Sequence, residues 1–68
     1  MNISIRDHII KTFKSADKKE VETSIEDAVK SDDEAVLPGL GVFLEIIWKN
    51  SSPEEKNNLL ETLVNNMI

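Results

Sequence analysis

The chain has 68 residues, of which 40% are hydrophobic and 31% are charged, and its formal net charge is −5 at pH 7. A chain of this length forms one domain and leaves no room for a second core, so we expect a single domain over residues 1–68. Because there is no cysteine, disulfides and thiolate metal sites are excluded. The hydrophobic content is typical of a folded protein and argues against disorder.

Membrane insertion and secretion are also not expected. The longest apolar-rich run, Leu40–Trp48, falls far short of the ~20 residues that span a bilayer. The first residues, MNISIRDHII, lack the long apolar stretch of a secretory signal. We therefore expect no membrane partner.

Two helices are predicted in the N-terminal half from the spacing of apolar residues. Helix 1 is predicted over residues 3–14, with Asn2 or Ser4 as its N-cap. Its apolar face consists of Ile5, Ile9, Ile10 and Phe13. Helix 2 is predicted over residues 18–31, after Asp17, which is a suitable cap. Its apolar face consists of Val21, Ile25, Ala28 and Val29.

Helix 3 follows the strongest break in the sequence, Pro38-Gly39. Proline suits the first turn of a helix because its missing N–H would have no intrahelical partner there. The apolar positions 40, 43, 44, 46, 47 and 48 cover more than half of the helical circumference. Helix 3 is therefore predicted to be largely buried and central, so that Ile47→Ala would cost about 2–5 kcal/mol.

Helix 4 has the clearest start. Ser52 is the predicted N-cap, Pro53 the first helical residue and Glu55 the partner of Ser52 in a capping box. The apolar repeat consists of Leu59, Leu60, Leu63, Val64 and Met67. Together the four helices predict an all-α fold, a small orthogonal or bundle-like four-helix domain with a largely buried third helix.

Residues that could support catalysis or metal binding are few. His8 is the only histidine, and a boundary histidine of a helix is seldom a ligand. Residues 32–34 are acidic but lack the spacing of a calcium loop, and Gly39 and Gly41 do not form a phosphate-binding motif. A turn or a close helix approach explains these glycines better. We expect no enzyme activity, catalytic residue, cofactor, metal site or small-molecule substrate.

The charge distribution leaves a second class of function open. Residues 1–19 contain five basic and two acidic side chains, a net charge of +3, whereas residues 20–68 carry three basic and eleven acidic ones, a net charge of −8. The basic residues of the first segment are Arg6, Lys11, Lys14, Lys18 and Lys19. They form the alternative, a nucleic-acid-associated module, but the acidic remainder would repel phosphates. Nucleic acid is therefore the less favoured partner.

Four segments together carry a resemblance to a known family. Residues 37–50, LPGLGVFLEIIWKN, closely resemble the LPGLGV(L/F)(F/L)E(V/I)IW segment of the I-type small, acid-soluble spore proteins. The opening MNISIRDHII is similar to the MN-x-x-(L/I)R start of that family. Residues 22–31 are similar to its E-x-T-I-x-D-A-I-x-S segment, and residues 55–63 to its E-K-x-x-x-L-E-T-L segment.

The resemblance implies a non-enzymatic protein made in the forespore and held in the spore core, the forespore cytoplasm. It implies action in sporulation and spore outgrowth as a structural or interaction protein. The family carries no established catalytic or ligand residues, so none is assigned here.

Self-association is the last prediction from the sequence. Helix 3 has more apolar surface than three short neighbours can readily cover, and helix 4 ends in apolar residues. Large exposed apolar patches mark interfaces, and two-fold dimers are the commonest small assemblies. We predict a weak homodimer, with another spore protein as the alternative partner. The candidate interface residues are Trp48, Leu60, Val64 and Met67.

Overall fold

A computed structural model describes residues 4–67 and contains only helices in that range. The elements in chain order are α1 (Ile5–Phe13), α2 (Lys18–Lys30), a 3₁₀ helix (Glu34–Val36), α3 (Leu37–Asn50) and α4 (Pro53–Asn66). The prediction of an all-α fold with four helices is confirmed. The helix boundaries lie within a few residues of the predicted ones.

The first two helices begin at side-chain caps. Ser4 Oγ accepts a hydrogen bond from the Asp7 amide at 3.2 Å, whereas the alternative cap Asn2 lies outside the described residues. Asp17 Oδ1 accepts from the Glu20 amide at 2.8 Å. These bonds satisfy amides that have no intrahelical partner in the first turn. The starts of α1 and α2 are therefore determined locally.

The helix α3 begins directly after the 3₁₀ helix. Asp33 Oδ1 accepts from the Ala35 amide at 2.9 Å and starts the 3₁₀ turn, which leads without a break into Leu37 and Pro38. Pro38 lies in the first turn of α3, where its missing N–H removes no hydrogen bond. Asp33 thus has a structural role at a helix end.

The helix α3 is the element on which the others pack. Its most extensive packing is with α1, followed by the 3₁₀ helix and α2, while α4 makes only sparse contact with any other described element. The rings of Phe13 and Phe43 meet edge to face with centroids 5.2 Å apart. At Gly39, an added Cβ would lie 3.3 Å from Ile9 Cδ1, so this glycine allows the close approach of α1. At Gly41 an added Cβ would have no neighbour within 4 Å.

Burial of α3 is much smaller than the sequence predicts. Within residues 4–67 only Val42 is buried, at 8% exposure, and Ile47 is 45% exposed. The structure therefore does not show a largely buried third helix. The reason is that α1 and α2 leave part of α3 uncovered, and α4 packs too sparsely to cover the remainder. The radius of gyration of 13.3 Å exceeds the ~11 Å of a compact domain of this length.

Candidate interaction surface

The corner between α3 and α4 is built by hydrogen bonds at two helix ends. Ser51, the C-cap of α3, donates from its hydroxyl to the Ile47 carbonyl at 2.6 Å. Ser52, the N-cap of α4, accepts from the Glu55 amide at 3.1 Å, and its own amide donates to Glu55 Oε1 at 2.8 Å. The predicted capping box is confirmed. Because the two caps are adjacent, they leave little freedom in the chain between the helices.

The cap favours the charged form of the Glu55 carboxylate. The hydrogen bond from the Ser52 backbone amide, with a further contribution from the Ser52 side chain, lowers the pKa of Glu55 below its usual value. A carboxylate at a helix N-terminus also lies at the positive end of the helix dipole. The cap therefore couples the start of α4 to the ionisation of Glu55.

Ser52→Ala is expected to lower the free energy of unfolding by about 1 kcal/mol, because it removes the side-chain acceptor of the Glu55 amide. For a domain of this size, that loss lowers the melting temperature by roughly 4–8 °C. Thermal melting followed by circular dichroism measures the shift. Ser51→Ala is the matched control and should have the smaller effect, since Ser51 only adds a hydrogen bond to an already closed turn. Equal shifts in the two variants would show that the cap of α4 is not at Ser52.

A stripe of apolar side chains lies along α4 and remains open to solvent. The α4 stripe consists of Leu60, Leu63, Val64 and Met67, all of them exposed. At 100° per residue these positions fall within an arc of about 100°. The acidic residues of α4, namely Glu54, Glu55 and Glu61, lie roughly 110–130° from the centre of that arc. The stripe therefore has no carboxylate within it.

The α4 stripe begins beside Trp48. Lys56, one turn before Leu60, places its Nζ 5.1 Å from the centroid of the Trp48 ring, a distance at which cation–π attraction operates. Trp48 itself is 37% exposed. A cleft of about 280 Å³ separates α3 from α4 nearby and is lined by Ile47, Ser51, Glu55, Asn58, Leu59 and Thr62. The exposed apolar surface thus extends from the end of α3 along α4.

All four residues predicted at an interface are exposed in the structure. Val64 and Met67 keep 67% and 70% of their surface accessible, and Leu60 and Trp48 keep more than a third. Sequence reasoning missed Leu63 and Lys56 as members of this surface. The sequence does contain a pattern that indicates them. Lys56, Leu60, Leu63 and Met67 are spaced by four, three and four residues, which is the spacing of side chains along a helix–helix interface.

An ion pair joins α1 to α3. Arg6 donates to Glu45 through Nε and Nη2 at 2.5 Å and 2.7 Å, and Lys49 Nζ lies 3.7 Å from the same carboxylate. The hydrogen bond from Arg6 is the main cause that lowers the pKa of Glu45. Two parallel N–H···O bonds give this pair a defined geometry.

The five N-terminal basic residues do not act as one free patch. Arg6 is engaged with Glu45, and Lys19 Nζ lies 3.2 Å from Glu22 Oε1. Both cations are therefore partly neutralised by carboxylates of the same chain. A phosphate would have to compete with these carboxylates for Arg6 and Lys19.

The other candidates for chemistry do not converge on one site. His8 is exposed and borders an apolar cleft of about 370 Å³ between α1, α2 and α3. Among residues 4–67 there is no group of three His, Asp or Glu side chains close enough to hold a metal ion. No helix in that range has the length and hydropathy of a bilayer span.

Comparison with known proteins identifies the family of this chain. The sequence matches the family described as "Small, acid-soluble spore protein I" over residues 3–67. The chain belongs to this family. A relative with that name in Halalkalibacterium halodurans is 40% identical over 93% of both chains. One in Bacillus subtilis is 40% identical over 93% of this chain and 89% of its own length. One in Bacillus cereus is 38% identical over 93% and 91%.

Membership of the small, acid-soluble spore protein I family makes this chain a spore protein. No solved structure shows a significant match to it. The resemblance of residues 37–50 to this family is confirmed.

Proposed function

We propose that this spore protein is a non-enzymatic interaction protein of the spore core that acts in sporulation and spore outgrowth. The observation that carries the proposal is the apolar surface formed by the α4 stripe and Trp48. Monomeric proteins seldom leave contiguous apolar side chains exposed unless a partner covers them. The sparse packing of α4 supports the same function, since a helix with little intramolecular cover is free to dock.

The experiment replaces one residue of the stripe in living spores. A strain lacking the gene is complemented with the wild-type protein, with Val64→Glu or with Val29→Glu. Val29 and Val64 are 69% and 67% exposed, so the two substitutions place the same charge at equally accessible positions on different helices. We expect wild type and Val29→Glu to restore the timing of outgrowth, whereas Val64→Glu does not.

Equal amounts of each variant in the spores must be verified by acid extraction and mass spectrometry. Restoration of normal outgrowth by Val64→Glu at wild-type levels would overturn the proposed function. Failure of both variants would also count against it, because an added negative charge would then delay outgrowth whether or not it lies in the α4 stripe.

A nucleic-acid partner is tested separately. With a net charge of −5 and with Arg6 and Lys19 in ion pairs, we expect no gel shift of nonspecific DNA or RNA at physiological salt. Phosphate binding weakens steeply as salt increases. A shift that disappears on raising the salt would favour the alternative, nucleic-acid-associated function.

A further inference from the structure

We propose that the partner of the α4 stripe is a second copy of this chain, bound in an antiparallel, two-fold pair of α4 helices. The proposal rests on the proposed function and names the partner for that surface. Three features support it: the area left open, the seam spacing of the stripe and the distribution of charge around it.

The molecule exposes more surface than a compact monomer of its mass, and the α4 stripe contributes to that surface. The chain exposes 5996 Å², about 1,700 Å² more than a compact monomer of its mass. The four residues outside the described range account for at most about 650 Å² of this difference, the area of four residues in an unfolded chain. At least about 1,000 Å² therefore remains over the whole surface of the molecule, more than the roughly 800 Å² per partner that a standard interface buries.

The spacing of the stripe is that of a helix packed against another helix. Leu60, Leu63 and Met67 repeat at intervals of three and four residues, and Lys56 continues the same row towards the N-terminus of α4. Such a row presents one continuous seam of side chains to a facing helix. Within residues 4–67 no helix packs extensively on α4, which leaves this row open to a helix of another molecule.

Charge favours the antiparallel arrangement. The first turn of α4 contains Glu54 and Glu55, and a parallel pair would bring these carboxylates close to their own copies. In an antiparallel pair centred on the stripe they lie instead past the C-terminal end of the second copy's α4, away from the carboxylates of that helix. The antiparallel order also aligns the two helix dipoles favourably. The α4 stripe contains no carboxylate, so packing two stripes together brings no acidic side chains into contact.

A two-fold axis at the middle of the stripe defines which residues meet. The midpoint of residues 60–67 lies between Leu63 and Val64. In an antiparallel pair centred there, Val64 lies beside Val64 of the second copy, and Leu60 lies beside Met67. A charge introduced at Val64 is therefore repelled by its own copy and attracted by the opposite charge.

Sedimentation equilibrium tests the pair with the full chain. We expect the average mass to rise from 7.7 kDa towards twice that value between roughly 10 µM and 1 mM, for a Kd of order 10⁻⁴ M. Val64→Glu and Val64→Lys should each stay monomeric, whereas an equimolar mixture of the two should regain the doubled mass. Val29→Glu is the control and should associate like wild type. Far-UV circular dichroism verifies that each variant remains helical.

Several results would overturn the homodimer. These are a wild-type mass that stays monomeric to 1 mM, association of Val64→Glu alone, loss of association in Val29→Glu, or a mixture that remains monomeric. The proposed function fails on a different measurement. If the wild type is monomeric but Val64→Glu still delays outgrowth, the stripe binds another protein and only the homodimer is excluded.

Discussion

Phe43→Ala is expected to lower the free energy of unfolding by about 2–3 kcal/mol, somewhat less than for a fully buried phenylalanine, because Phe43 is half-buried. The substitution removes the edge-to-face contact with Phe13, whose ring centroid lies 5.2 Å away. Such pairs contribute beyond the area they bury. The total free energy of unfolding of a small domain can be as low as about 5 kcal/mol, so a loss of this size is a large fraction of it. The melting temperature should therefore fall by roughly 10–20 °C.

Ile47→Ala is the matched comparison on the same helix. The breadth of the apolar arc predicts a cost of about 2–5 kcal/mol for it, but Ile47 is 45% exposed. We now expect a cost of about 1 kcal/mol, since only part of its surface returns to water. Thermal melts at low micromolar concentration keep self-association out of the comparison. A larger loss in Ile47→Ala than in Phe43→Ala would show that the core lies between α3 and α4 and not between α1 and α3.

Acidification is expected to lower the melting temperature. The pKa values of Glu45 and Glu55 are both lowered in the folded chain, by the hydrogen bonds from Arg6 and from the Ser52 backbone amide, respectively. Groups with depressed folded pKa values stabilise the fold above their unfolded pKa, and this contribution is lost as pH falls through the folded pKa. The melting temperature should therefore be level at neutral pH and decline as the pH drops below about 4.5.

The decline has a structural cause that variants can isolate. Protonation of Glu45 breaks the ion pair between α1 and α3, and protonation of Glu55 weakens the cap of α4. Glu45→Gln should melt below wild type at pH 7 and lose less on acidification, because one of the two titrating contacts is already absent. Glu26→Gln removes the same charge from the exposed surface of α2 and should follow the wild-type profile. A wild-type melting temperature that is unchanged at pH 3 would show that the Glu45 and Glu55 carboxylates do not contribute to stability.

These two predictions test the two contacts that join α1 to α3 and, through Glu55, the cap of α4. The aromatic contact and the Arg6–Glu45 pair both join α1 to α3, while the C-terminal end of α3 continues into the open apolar surface of α4. A small domain has too few residues to cover every face of a central helix. Leaving one face open weakens the monomer but provides the surface through which we propose that it associates.

The helices themselves were determined by local sequence. Ser52 with Glu55 and Asp17 with Glu20 lie three residues apart, and the partners of a cap are always found within one turn. The apolar periods of three and four residues predicted the faces of the helices for the same reason. Trp48 and the residues predicted on α4 could therefore be recognised as candidate surface residues without coordinates.

The tertiary structure decided which of the apolar faces is covered. The Arg6–Glu45 pair joins residues 39 positions apart, and no pattern within α1 or α3 indicates that these two helices meet. The width of an apolar arc shows how much surface a helix has to bury, but not whether a neighbour is long enough and near enough to bury it. Ile47 and Val42 belong to the same apolar segment, yet only Val42 is buried. The difference arises because burial depends on the distance between helices that are remote in sequence, whereas helix formation depends on residues one turn apart.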